Sequence, residues 1–225
     1  AFSECTSLSS IVIPENVTEI DGYAFKGCES LTTVTLHDGV TKIGRSAFSE
    51  CTSLSSIVIP ENVTEIDGYA FKGCESLTTV TLHDGVTKIG RGAFSGCRSL
   101  SSIVIPENVT EIDDYAFSRC YSLTSLKIPD SVMKISAGAF SGCRSLSSIV
   151  IPENVTEIDD HAFSECTSLS SIVIPENVTE IDGYAFKGCE SLTTVTLHDG
   201  VTKIGRSAFS ECTSLSSIVI PENVT

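Results

Sequence analysis

A chain of 225 residues with 29 Asp and Glu against 14 Lys and Arg carries a net charge of −15. That balance speaks against nucleic acids and anionic membranes as partners, because phosphate contacts need a basic face. No apolar run approaches the roughly 20 residues that a membrane helix requires.

Length alone would suggest one or two globular domains, but a strict internal period replaces that expectation. Phe recurs at 2, 25, 48, 71, 94, 117, 140, 163, 186 and 209, and Cys from 5 to 212, always in steps of 23 without insertion. A fixed period of this size marks a solenoid. Residues 1–225 therefore read as a single array of ten 23-residue coils, the first and last incomplete. Residues 1–64 recur identically as 162–225, and the array reads as part of a longer one.

In chain order, Leu8, Ile11 and Ile13 fit a short strand, with Ser10 and Val12 on the opposite face. Pro14 ends it, since proline cannot donate to a ladder. Pro-Glu-Asn, or the His-Asp-Gly that replaces it at 37–39, 83–85 and 198–200, is turn chemistry. Val17 and Ile20 return the chain to the core as a second short extended segment. Asp21-Gly22 breaks that segment and caps a helical turn. Ala24, Phe25 and Cys28 then follow at spacings that suit one or two helical turns. A coil this small cannot fold alone, so stability must come from stacking on its neighbours.

The pattern Leu-x-x-Ile-x-Ile-Pro-x-x-Val-x-x-Ile-x-x-x-Ala-Phe-x-x-Cys resembles the BspA-like type of leucine-rich repeat over the whole chain. The resemblance implies a β-rich α/β repeat solenoid: a right-handed stack with a parallel sheet on one face and short helical turns. It also implies cell-surface or secreted proteins of bacteria and some protists that engage host or matrix proteins. No catalytic residue comes with it. The repeats of natural members vary more than these do, and normally carry terminal caps.

Two kinds of coil alternate. One contains Ile-Val-Ile-Pro-Glu-Asn-Val-Thr-Glu-Ile, the other Val-Thr-Leu-His-Asp-Gly-Val-Thr-Lys-Ile, and residues 122–144 are a diverged copy of the second with Lys127 and Met133. If coils stack about 4.8 Å apart, equivalent positions form columns. One column reads Glu19, Lys42, Glu65, Lys88, Glu111, Lys134, Glu157, Glu180, Lys203. Opposite charges on adjacent rungs attract modestly and like charges repel, so the Glu157–Glu180 junction is expected to be the weakest to hydrogen exchange. A second column, from Glu15 and Asp38 to Asp199 and Glu222, carries a carboxylate on every rung. It is either a solvated turn face or a ridge able to take calcium, which prefers oxygen ligands.

The ten cysteines fall one per coil inside the apolar set, which suits buried free thiols better than disulfides or zinc. His37, His83 and His198 are copies of one turn residue, and His161 replaces a tyrosine. No catalytic residue, cofactor or metal site is expected. Asn-Val-Thr occurs at Asn16, Asn62, Asn108, Asn154, Asn177 and Asn223. It is an acceptor tripeptide for N-glycosylation, or one turn sequence copied six times.

Two readings follow. The chain is an extracellular or cell-surface structural repeat protein, glycosylated and partnered with itself end to end or laterally in a fibre or stalk. Alternatively it is a segment of an adhesin or receptor that binds a host or matrix protein.

Overall fold

The computed structural model describes residues 1–224. Each coil lies on the next with equivalent residues paired in parallel: Ser10 with Thr33, Ile11 with Val34, Val12 with Thr35. Every coil contributes up to two strands. The longer one, such as Thr33–Thr35, turns its central residue inward and leaves its outer two exposed. The shorter one, such as Glu19–Ile20, buries only the isoleucine. The second extended segment read from Val17 and Ile20 is thus present, and places a second parallel ladder on the molecule.

Between the two strands a turn at Pro14 or His37 bends the chain, and after the second strand the chain passes through Phe25. The phenylalanines from Phe25 to Phe186 are buried. Their rings form one stacked column with centroid separations running from 5.2 to 5.8 Å, within the offset-stacked range that aromatic pairs prefer. Leu31, Cys28, Ile43 and their equivalents fill the space around that column.

The segment read as helical turns is not helical: no helix forms among the described residues. Alternate amides there face different partners. Those of Ala24, Lys26 and Cys28 bond three residues back, to Asp21, Tyr23 and Phe25. Those of Tyr23, Phe25 and Gly27 donate to Arg45, Ala47 and Ser49 of the next coil, at 2.9, 2.8 and 2.8 Å. A helix would take all of these amides for its own carbonyls. Left-handed residues at Tyr23 (φ 59°) and Gly27 (φ 69°) interrupt helical winding and aim the amides outward. The left-handed position is costly for tyrosine, and the bond to Arg45 helps hold it there.

The ladder of two-residue strands runs unbroken from Glu19–Ile20 to Glu111–Ile112, and again from Lys134–Ile135 to Lys203–Ile204. It crosses the like-charge rung intact, with Glu157 paired to Glu180 and Ile158 to Ile181. The break comes two junctions earlier than the charge pattern implies, between Ile112 and Ile135. A change of hydrogen-bond donor accompanies it. Just after the second strand the chain passes very close to its neighbour: a Cβ on Gly90 would lie 2.8 Å from the Ile66 carbonyl oxygen and 2.9 Å from the Gly68 nitrogen. Gly90 and Gly205 therefore donate their amides to the preceding isoleucine carbonyl at 2.8 and 2.7 Å. Asp113 and Asp182 at the equivalent place do the same at 2.9 and 2.8 Å, and Ser136 differs. Its hydroxyl takes the Ile112 carbonyl at 2.7 Å instead, and the strands part.

Ser136→Gly is expected to close the ladder. Hydrogen exchange across the Ile112–Ile135 junction, the fastest between internal coils in the wild type, should slow to the level of its neighbours in that variant.

Candidate interaction surfaces

All six sequon asparagines are exposed. At four of them the side-chain amide also reaches a backbone carbonyl of the preceding coil: Asn62 to Asp38 at 2.6 Å, Asn108 to Asp84 at 2.9 Å, Asn154 to Asp130 at 2.7 Å and Asn177 to Glu153 at 2.7 Å. The sequon threonines act similarly. The hydroxyls of Thr110, Thr156 and Thr179 donate to Thr87, Met133 and Thr156, each at 3.4 Å. Both functional positions of the tripeptide thus tie one coil to the one before it. Thr225, the last residue of the sixth sequon, lies outside the described residues.

The acidic column at the turn, from Glu15 to Glu222, is exposed along its length. The alternating column makes the ion pairs its register implies. Lys88 lies 3.8 Å from Glu65 and 3.2 Å from Glu111. At the like-charge rung Glu157, Asp159 and Asp182 bring carboxylate oxygens within 4.8 Å of one another. Two lysines clamp this cluster from either side: Lys134 reaches Glu157 and Asp159 at 3.0 Å each, and Lys203 reaches Glu180 and Asp182 at 2.8 Å each. Hydrogen bonds to Asp182 and Glu180 hold the Lys203 ammonium above its ordinary pKa. Repulsion between Glu157 and Glu180 is offset at this point, which is why the ladder survives there.

The thiols from Cys28 to Cys212 are buried, and Cys5 is exposed. Each buried thiol donates to the phenylalanine carbonyl of the preceding coil, as Cys97 does to Phe71 at 3.2 Å. That same carbonyl accepts the amide of Cys74 at 3.2 Å, so one oxygen joins two coils. Burial pushes Cys51, Cys143 and Cys189 up to about 12.

The outward residues of the three-residue strands form a face of Ser, Thr and Val. Val12, Val58, Val150 and Val173 stand 57–75% exposed on it, and Lys127 alone adds a charge among the described residues. The sequence reading placed this surface correctly but passed over another, on the turn that follows Phe. There Tyr121 lies between Arg98 and Arg144, whose guanidinium carbons are 5.8 and 5.0 Å from the ring centre. Comparing the residues beside each Cys coil by coil would have exposed it.

A family model described as the BspA type leucine rich repeat region matches residues 1–124 and 110–225, together the whole chain. The chain belongs to the BspA-type leucine-rich-repeat family. Among solved structures it is similar to a leucine-rich repeat protein from Bacteroides ovatus, with 34% identity over 100% of this chain and 70% of that one and a TM-score of 0.67. The leucine rich repeat protein of T. pallidum shares 35% identity over 71% of this chain and 77% of its own, with a TM-score of 0.67. A leucine rich cell surface protein from Faecalibacterium prausnitzii shares 34% identity over 93% and 78%, with a TM-score of 0.51. Curated proteins offer no match. Among the described residues no helix is long and apolar enough to cross a membrane.

Two outcomes are expected of this BspA-type stack. Asn108→Ala removes an inter-coil bond and should lower stability by about 1 kcal/mol, read as a shift in the urea midpoint. Burial raises the thiols of Cys51, Cys143 and Cys189 from an ordinary 9 to about 12 in the fold. A raised acid pKa gives stability that is full below pH 9 and is lost as pH climbs toward 12, because only the unfolded chain ionises. Denaturation at stepped pH should show this decline, and alkylation at pH 8 should label Cys5 while sparing Cys51 to Cys189 until the chain unfolds.

Proposed function

We propose that this chain is a segment of a non-enzymatic extracellular structural protein, extending a fibre or stalk by continuous stacking of coils. The observation that carries the reading is the turn bond made by each Phe, which is the same at successive junctions. Phe25, Phe94 and Phe163 donate their amides to Ala47, Ala116 and Ala185 at 2.8, 2.8 and 2.7 Å, so one coil offers the next the same donors, acceptors and ring throughout the stack. This turn bond does not depend on which rung makes it, so it sets no limit on how far such stacking runs.

A scaffold role agrees with the chemistry of the candidate reactive groups. The buried thiols have raised pKa values, the opposite of what a nucleophile needs, and His37, His83 and His198 sit on repeated turns rather than beside them. An extracellular or cell-surface location is supported by the cell-surface relative from Faecalibacterium prausnitzii and by the exposed sequons. N-linked glycans at Asn16, Asn62, Asn108, Asn154, Asn177 and Asn223 are compatible with the stack. The amides of Asn62, Asn108, Asn154 and Asn177 carry two protons and give one to the neighbouring carbonyl, leaving the other to be replaced by a sugar. The second reading, an adhesin or receptor segment binding a host or matrix protein, draws on that same relative and on the arginines around Tyr121.

Electron microscopy of the purified chain separates the two. Filaments with a rise of about 4.8 Å per coil are expected for the structural reading, and discrete particles at every concentration would overturn it. Peptide mass spectrometry of material from a glycosylating host should find Asn16 and Asn62 modified; bare asparagines would remove the glycan from the proposal.

A further inference from the structure

Position by position, the segment around each Cys is the one place where neighbouring coils change character together. In seven coils it reads Ser-Glu-Cys-Thr or Lys-Gly-Cys-Glu, with one carboxylate each. At 95–98, 118–121 and 141–144 it reads Ser-Gly-Cys-Arg, Ser-Arg-Cys-Tyr and Ser-Gly-Cys-Arg. Three successive rungs thus lose every carboxylate and gain three guanidiniums, on a molecule whose net charge is −15.

The structure gathers these residues into one surface. Arg98, Arg119 and Arg144 are exposed, and Tyr121 is half-buried among them. Both faces of the Tyr121 ring are covered, by Arg98 on one side and Arg144 on the other, so the ring is not free to stack on a base or a sugar. Its effect is to hold two guanidiniums in place. Arg98 and Arg144 also touch Glu75 and Glu165 at 3.3 and 3.6 Å. These are exposed pairs of little worth, readily exchanged for a better partner. Arg119 has no ion-pair partner among the described residues, and its left-handed backbone (φ 59°) donates its amide to Ser141 of the next coil at 2.7 Å.

We propose that this patch docks the acidic turn ridge of a second copy of the chain, joining solenoids side by side. The spacing selects the partner. Arg98 and Arg144 hold the same place in coils two apart, about 9.6 Å along the axis, with Arg119 on the rung between and two residues nearer Phe. Glu153 and Asp199 on the ridge are likewise two coils apart and repeat at the same interval, with Glu176 between them. An extended acidic peptide would present same-side carboxylates about 6.7 Å apart, out of step after one rung. Planar guanidiniums suit carboxylates in particular, because both oxygens can be bonded at once. Arg119 and the ridge residue Asp130 are 11 residues apart in a 23-residue coil, roughly half a turn. Patch and ridge therefore lie on opposite flanks, and the contact is head to tail and propagates into rows. The inference rests on the self-association reading above but uses a different surface from end-to-end stacking, so each can fail alone.

The test is sedimentation velocity of the chain at about 0.15 M and about 1 M salt, where screening shortens from about 8 to 3 Å. The lateral contact is expected at the lower salt and lost at the higher, while end-to-end stacking, which rests on apolar burial, persists at both. R98E/R119E/R144E, with its circular dichroism unchanged, is expected to weaken association at least tenfold. R98K/R119K/R144K keeps the charge; carbodiimide crosslinks from its substituted positions should reach ridge carboxylates, and isotope-mixed samples should show them to be intermolecular. A wild type that stays monomeric at both salts, a charge-reversed variant that associates like wild type, or crosslinks confined to Glu75 and Glu165 would each overturn the proposal. Single filaments that persist in R98E/R119E/R144E while side-by-side association is lost would leave end-to-end stacking standing and assign the lateral contact to this patch.

Discussion

Each coil leaves a large share of its backbone hydrogen bonds to be made by its neighbours, and the whole molecule follows from that. Amides of Tyr23, Phe25 and Gly27 point up the stack, while those of Thr32 and Thr41 point down it to Ser9 and Thr18. Buried amides and carbonyls must find partners, and within 23 residues there are too few. Stacking is therefore a condition for any coil to exist, and the single core that results is one apolar column continuous from coil to coil.

The same condition accounts for residues that look arbitrary in one coil. Cysteine fits because a small thiol fills apolar space and still gives a weak donor to the phenylalanine carbonyl below it. Glycine appears at 44, 90 and 205 because two backbones meet there with no room for a Cβ. Asparagine and threonine of the sequon each reach down one rung. A tripeptide that reads as a glycan address is, in the folded chain, also an element of the stacking bond. The sheet of three-residue strands closes only between selected neighbours, so the two-residue ladder, the phenylalanine column and the turn amides carry most of the continuity.

The period, the two strands, the inward and outward residues and the register of the charged column were all legible in the sequence. Phe and Cys at fixed intervals locate the core, and Glu19 facing Lys42 follows directly from a one-coil offset. The turn after Asp21 was not legible as it is. Ala, Phe and Cys at one, three and four carry the spacing of a helix, and nothing in those side chains says that alternate amides bond to another coil. The alternation of Gly27 and Gly73 with Glu50 at one position was the available hint, since a glycine every other coil marks a left-handed backbone. The break at Ser136 needed the structure, because a serine replacing a glycine is ordinary until the distance to the Ile112 carbonyl is known. The Arg98–Tyr121–Arg144 stack was open to reading in columns and was hidden by reading along the chain.

Ser136 also sets how the molecule would bear load along its axis. Coils joined by like bonds share tension evenly, and none is marked to yield first. One serine near the middle removes that equality. Under a steady pull the Ile112–Ile135 seam resists without the two-residue ladder, through the Ser131 and Ser136 hydroxyls instead, and each coil that peels away releases a slack of up to about 80 Å of extended chain. A uniform rod thereby acquires a mechanical fuse at a fixed address, with the arginine-bearing coils lying across the same seam.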